Sequence, residues 1–128
     1  MLSICKTFSF GAAHQLPNYQ GNCANLHGHR WQLEVEIKML EEEGLELGVY
    51  KGMIMDFKVL KEDIEEAVIK KLDHQFINNI LENPTAENMI LWIKKQLEKL
   101  FSMRGLFRIR LYESEDSYVE WRIEDETN

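Results

Sequence analysis

A chain of 128 residues, 45% apolar and 29% charged, has enough apolar material for one packed domain without disulfide support. Twenty-two acidic against fifteen basic side chains leave a net charge of −7, which disfavours nucleic-acid backbones and anionic membranes as partners. No apolar run approaches the ~20 residues of a membrane span, and the first residues, MLSICKTFSF, lack the basic and long apolar regions of a secretory signal. The expected address is therefore the cytoplasm, where Cys5 and Cys23 stay reduced; a Cys5–Cys23 disulfide is the alternative in an oxidising compartment.

Residues 2–10 read as a strand, with Leu2, Ile4, Phe8 and Phe10 on one side. The stretch QLPNYQGN carries Pro, Asn and Gly and reads as a loop. From His27 the alternation is regular. His27, His29, Trp31, Leu33, Val35 and Ile37 share one face, and Arg30, Gln32, Glu34, Glu36 and Lys38 the other, as in a half-buried strand. EEEGLELGVYKG is a polar connection, and MIMDF a short extended piece ending at Asp56, a plausible N-cap.

The helix that follows has Phe57, Leu60, Ile64, Ala67 and Val68 as its apolar stripe. DHQFINNILENP reads as a loop closed by Pro84. Thr85 then caps a second helix, with Glu87 in its first turn and Ala86, Met89, Ile90, Ile93, Leu97, Leu100 and Phe101 on its buried face. Two strands finish the chain. Phe107, Ile109, Leu111 and Glu113 share one side of the first, and Val119, Trp121 and Ile123 one side of the second, with a turn at SED. Residues 1–128 show no repeat and no second domain. The order ββααββ predicts an α+β fold, with a four-stranded antiparallel sheet covered on one face by two helices.

Two imidazoles at i and i+2 on one strand face, His27 and His29, can converge on one ion, and Gly28 between them leaves room for close approach. If the first two strands form a hairpin, His14 returns beside His27. Three histidines without an obvious fourth protein ligand describe an open, catalytic zinc site. Cys23 is either a fourth ligand, which would close the site and make it structural, or a thiolate base beside the metal; spacing does not separate the two. Asp73 before His74 has the logic of a general acid/base pair. Glu113 is a carboxylate on a core face and needs a partner, such as the guanidine-like edge of a heterocycle.

Taken in order, FSFGAAHQL, CANLHGH, GMIMDFKVLK, LDHQFIN, NPTAENMILWI and LYES resemble the 6-pyruvoyl-tetrahydropterin synthase family, most closely its 6-carboxy-tetrahydropterin synthase branch, over nearly the whole chain. The resemblance implies a single tunnelling-fold domain whose sheets join into a β-barrel homohexamer with active sites between subunits. It implies zinc held by His14, His27 and His29, a catalytic triad of Cys23, Asp73 and His74, and a pterin anchored by Glu113, with Thr85 and Glu87 opening the pterin-pocket segment. Ala86 stands where other members carry a hydroxyl residue. The implied reaction converts 7,8-dihydroneopterin triphosphate to 6-carboxy-5,6,7,8-tetrahydropterin, acetaldehyde and triphosphate, in the route to queuosine-type deazapurines. Pyruvoyl-type triphosphate elimination, aldolase-like side-chain cleavage and a non-catalytic zinc module are the other readings. The sequence does not choose among Arg30, Lys51 and Lys58 for the triphosphate.

Overall fold

The computed structural model describes residues 1–17, 20–21, 24–39, 45, 51–101 and 105–123. Its centre is the hairpin of β1 (Ser3–His14) and β2 (His27–Lys38), paired antiparallel from Ser3↔Lys38 to His14↔His27. Both strands alternate as the period-two pattern requires. Phe8, Phe10 and Ala12 of β1 and Trp31, Leu33, Val35 and Ile37 of β2 are buried on one face.

α1 (Phe57–Ile64) is capped by Asp56, whose carboxylate accepts from the Lys58 N–H at 2.7 Å. A π-helical turn, Glu65–Ile69, and a short α2 (Lys70–Leu72) continue it. The buried residues Leu60, Ile64, Val68 and Leu72 recur every fourth position. That spacing drifts around an α-helix of 3.6 residues per turn, and the wider turn returns Val68 and Leu72 to the core. Phe57, expected in the apolar stripe, is 53% exposed because it starts the helix ahead of the turn that meets the sheet.

Residues 73–84, expected as a loop, contain β3 (Gln75–Phe76) and a 3₁₀ turn, Ile77–Asn79. β3 pairs parallel to β1, at Ala12↔Gln75 and Ala13↔Phe76. α3 (Ala86–Phe101) begins as expected, with the Thr85 hydroxyl accepting from the Asn88 N–H at 3.1 Å. It buries Met89, Ile90, Ile93, Leu97 and Phe101. Leu100, expected on that face, is 37% exposed.

β4 (Leu106–Ser114) pairs antiparallel with β2, and β5 (Ser117–Arg122) with β4. A register shift at Glu36/Ile37 sets Leu106 opposite Ile37 and buries it in the core position expected for Phe107. Among the described residues the sheet therefore has five strands in the order β3-β1-β2-β4-β5, with one parallel pair, and not four antiparallel strands. The helices cover one face and the core lies between. No helix among the described residues is long and apolar enough to cross a membrane.

The other face carries an ion-pair network. The Arg108 guanidinium meets Glu36 at 2.7 Å, Glu34 at 3.2 Å and Glu120 at 3.6 Å. Burial alone would raise the Glu36 carboxyl, but hydrogen bonds from Ser3 and Arg108 overcome it and hold the group below the usual carboxylate range. A carboxyl depressed in the folded state stabilises fully above its unfolded value, and that contribution is lost as pH falls through the folded one. Glu36→Gln is expected to weaken the metal-free protein by about 1–3 kcal/mol at pH 7. It should also flatten the loss of stability on acidification below pH ~5, read as urea midpoints against pH. Parallel wild-type and variant curves would contradict this.

Candidate metal and proton-transfer site

Direct pairing of His14 with His27, and of Ala12 with His29, sets three imidazoles on the core face at one end of the hairpin. Their ring centroids lie 4.5 Å (His14–His27), 4.7 Å (His27–His29) and 5.1 Å (His14–His29) apart. One nitrogen from each falls within 4.8 Å of the others. Donors on one tetrahedral zinc at 2.0–2.1 Å stand ~3.4 Å apart, so slight ring rotations close the remaining gap.

Two backbone carbonyls orient the rings. His14 Nδ1–H donates to the Pro84 carbonyl at 2.8 Å, and His27 Nδ1–H to the Asn25 carbonyl at 2.7 Å. This tautomer, assigned from the partners, leaves each Nε2 lone pair free for a metal. His14 is 1% exposed, and Nε2 of both His14 and His29 is buried without a hydrogen-bond partner among the described residues. Such orphaned acceptors are costly, and a bound cation resolves the cost. Burial lowers the His29 pKa, and the neighbouring His14 and His27 lower it further, against an opposing effect from Glu113. This direction favours the neutral ring that a metal ligand requires. Trp31 packs edge-on to His14 and His29, with centroids at 5.2 and 5.4 Å, and donates its indole N–H to the Ala12 carbonyl at 3.3 Å. Glu113 Oε1 stands 3.6 Å from His29 Nε2, placing a carboxylate at the edge of the cluster.

Asp73 and His74 form a second unit on the opposite side of β1. Asp73 Oδ1 accepts from the Gly11 N–H at 3.0 Å, and the His74 N–H donates to the Gly11 carbonyl. His74 Nδ1 lies 3.0 Å from Asp73 Oδ2. The Gly11 N–H, foremost, and then His74 hold the Asp73 carboxyl below its ordinary range. His74 has φ = 60°, a left-handed conformation that strains a non-glycine residue and that the structure retains here. Its side chain is 84% exposed, with Nε2 turned away from Asp73 and available for proton exchange. A cleft of about 490 Å³ is lined by both His29 and His74, together with Gly11, Gly28, Arg30 and Gln75 among others.

The structure thus brings His14, His27, His29 and Glu113 together, and Asp73 and His74 together, with His74 lining the cleft. Thr85 caps α3 directly after the carbonyl that orients His14, and Glu87 is exposed in its first turn. Cys23 lies outside the described residues. Sequence reasoning missed the Pro84 and Asn25 carbonyls, Gly11 and the Trp31 floor. Only the i+2 position of Trp31 after His29 was a usable signal.

Residues 3–124 match the family "6-pyruvoyl tetrahydropterin synthase". The chain belongs to that family. Membership gives it tetrahydropterin-synthase-type enzyme activity. Within the family, it is 41% identical to 6-carboxy-5,6,7,8-tetrahydropterin synthase of Synechocystis sp., over 89% of this chain and 88% of the relative. It is 38% identical to dihydroneopterin monophosphate aldolase of Pyrococcus furiosus, over 88% and 90%. The fold superposes on 6-pyruvoyl tetrahydropterin synthase of Caenorhabditis elegans with a TM-score of 0.78, at 20% identity and 96% coverage of both chains.

Replacing any one of His14, His27 or His29 with alanine should weaken divalent-metal binding by more than the ~10–100-fold typical of losing an orienting partner. Competitive chelator titration reads this. A single-histidine variant that keeps wild-type affinity would remove that residue from the ligand set.

Proposed function

We propose that the protein is a zinc-dependent lyase that converts 7,8-dihydroneopterin triphosphate and water to 6-carboxy-5,6,7,8-tetrahydropterin, acetaldehyde and triphosphate. The observation that carries this reading is the convergence of three imidazoles, two of them with buried Nε2 atoms unsatisfied among the described residues, beside a cleft also lined by His74, which Asp73 orients. Likeness to the Synechocystis protein supports the choice of product.

His14, His27 and His29 would hold the metal. The chemistry a bound zinc ion supplies is Lewis acidity toward the side-chain hydroxyls, which makes the neighbouring protons more acidic. The Cys23 thiolate takes a side-chain proton. His74 exchanges a proton through Nε2 on the opposite face, its tautomer fixed by Asp73. Glu113 accepts from the 2-amino and N3–H edge of the pterin, and Thr85 and Glu87 begin the segment that borders it. A thiolate base requires a reducing compartment, which supports action in the cytoplasm. Among the described residues β3 and β5 end the sheet with unpaired edges, and covering such edges supports assembly into a homohexameric barrel with active sites between subunits.

The zinc-loaded protein is expected to release one acetaldehyde per dihydroneopterin triphosphate consumed. A product that keeps all three side-chain carbons would instead establish pyruvoyl-type elimination. The Pyrococcus furiosus relative favours a second reading, aldolase cleavage with the phosphate retained; free triphosphate among the products rules it out. Were Cys23 a fourth metal ligand in a non-catalytic module, it would resist alkylation until zinc was removed, whereas a catalytic thiolate reacts with zinc in place.

His74→Gly provides a separate check. Glycine adopts φ = 60° without strain, so stability should hold or rise by up to about 1 kcal/mol while turnover is lost. Undiminished turnover in that variant would take His74 out of the mechanism.

A further inference from the structure

The outer face of the sheet carries the four described arginines, and three of them are neutralised. Arg108 pairs with Glu34 and Glu36, and Arg110 and Arg122 each pair with Glu120. Arg30 differs. Its cross-strand partner is Gly11, and its neighbours on the same face of β1 and β2 are Ser9, Ala13, Gly28 and Gln32, none of them charged. No carboxylate among the described residues comes within ion-pair distance of it. Asp73 feels its charge but lies beyond that reach, and the Asp73 oxygens already serve Gly11 and His74.

Arg30 is also the only cation among the described residues lining the cleft, and the lining contains no carboxylate. Its Nη1 stands 3.9 Å from the point where a Cβ on Gly11 would be, so the guanidinium lies over the glycine in open space. A guanidinium is always charged and presents a fork of donors suited to phosphoryl oxygens. In a chain of net charge −7, an unpaired arginine in a cleft reaching His29 and His74 supplies the local attraction that a polyanionic substrate otherwise lacks.

We infer that Arg30 is the phosphate-recognition residue of this cleft, receiving the phosphoryl tail of the substrate while its side chain carbons react next to the histidine cluster. This rests on the reading above of a phosphorylated pterin. It adds that selectivity for the phosphorylated form resides in one side chain on the outer face, reached through the glycines at 11 and 28.

The test uses the full-length, zinc-loaded protein with inorganic triphosphate as probe, by calorimetry at low salt. Wild type is expected to bind triphosphate, and Arg30→Gln to bind about 10- to 100-fold more weakly. Arg30→Lys should recover part of the affinity, and Arg122→Gln, the same charge change at a paired site, should bind as wild type. In turnover, Arg30→Gln should raise KM for dihydroneopterin triphosphate by a similar factor with kcat nearly unchanged, and leave the Ki of unphosphorylated neopterin unaltered.

Absence of triphosphate binding to wild type, or equal binding by wild type and Arg30→Gln, would overturn the inference. So would equal losses in Arg30→Gln and Arg122→Gln, which would mark a diffuse charge effect. If triphosphate binding depends on Arg30 but no pterin is turned over, the anion site stands and the pterin reading fails. If acetaldehyde forms but Arg30→Gln is silent in both assays, the reverse holds.

Discussion

The constraint on which everything else depends is the register of β1 against β2. Side chains on a strand alternate between faces, so a slip of one residue would carry His27 and His29 to the outer face and bring Gly28 and Arg30 inward. Trp31, Leu33, Val35 and Ile37 prevent that slip. All four are fully buried, and burial of each large side chain contributes roughly 1.5–3 kcal/mol. The hydrophobic pattern of one strand therefore fixes both the metal cluster and the outer-face cation. The core specifies the site; the site adds little to the core, because Nε2 of His14 and of His29 is buried without a hydrogen-bond partner among the described residues.

The two faces of this hairpin end divide the chemistry. On the core face, two backbone carbonyls orient His14 and His27 and aim their lone pairs inward. Outside, the Asp73–His74 pair is latched to Gly11, and the strained backbone of His74 is held by hydrogen bonds on both of its flanks. Gly11 is the hinge between these arrangements. It pairs with Arg30 in the sheet, binds Asp73 through its N–H, and leaves room for the Arg30 guanidinium above it.

Much of this was legible because it follows from periodicity. Alternation from His27 to Lys38 placed two histidines on one face, and a hairpin brought in His14; the helix caps at Asp56 and Thr85 were readable from local chemistry. What could not be read lacks a side-chain signal. β3 is two residues long, too short for a period, and its pairing is set by the Gly11 latch. The Pro84 and Asn25 carbonyls that orient the ligands are backbone groups, invisible to any residue pattern. Phe57 and Phe107 misled because hydrophobicity was read without the helix start and the β-bulge that turn them out of the core. The family likeness supplied roles for Cys23, Thr85, Glu87 and Glu113 that residue spacing alone left open.

The central claim is that three imidazoles share one divalent ion with a coordination position left for the substrate. X-ray absorption spectroscopy of the zinc-loaded protein tests it most directly. The account predicts three imidazole nitrogens and one light oxygen donor at about 2.0–2.1 Å, with no sulfur. A sulfur scatterer at about 2.3 Å, or fewer than three imidazoles in the fit, would contradict it.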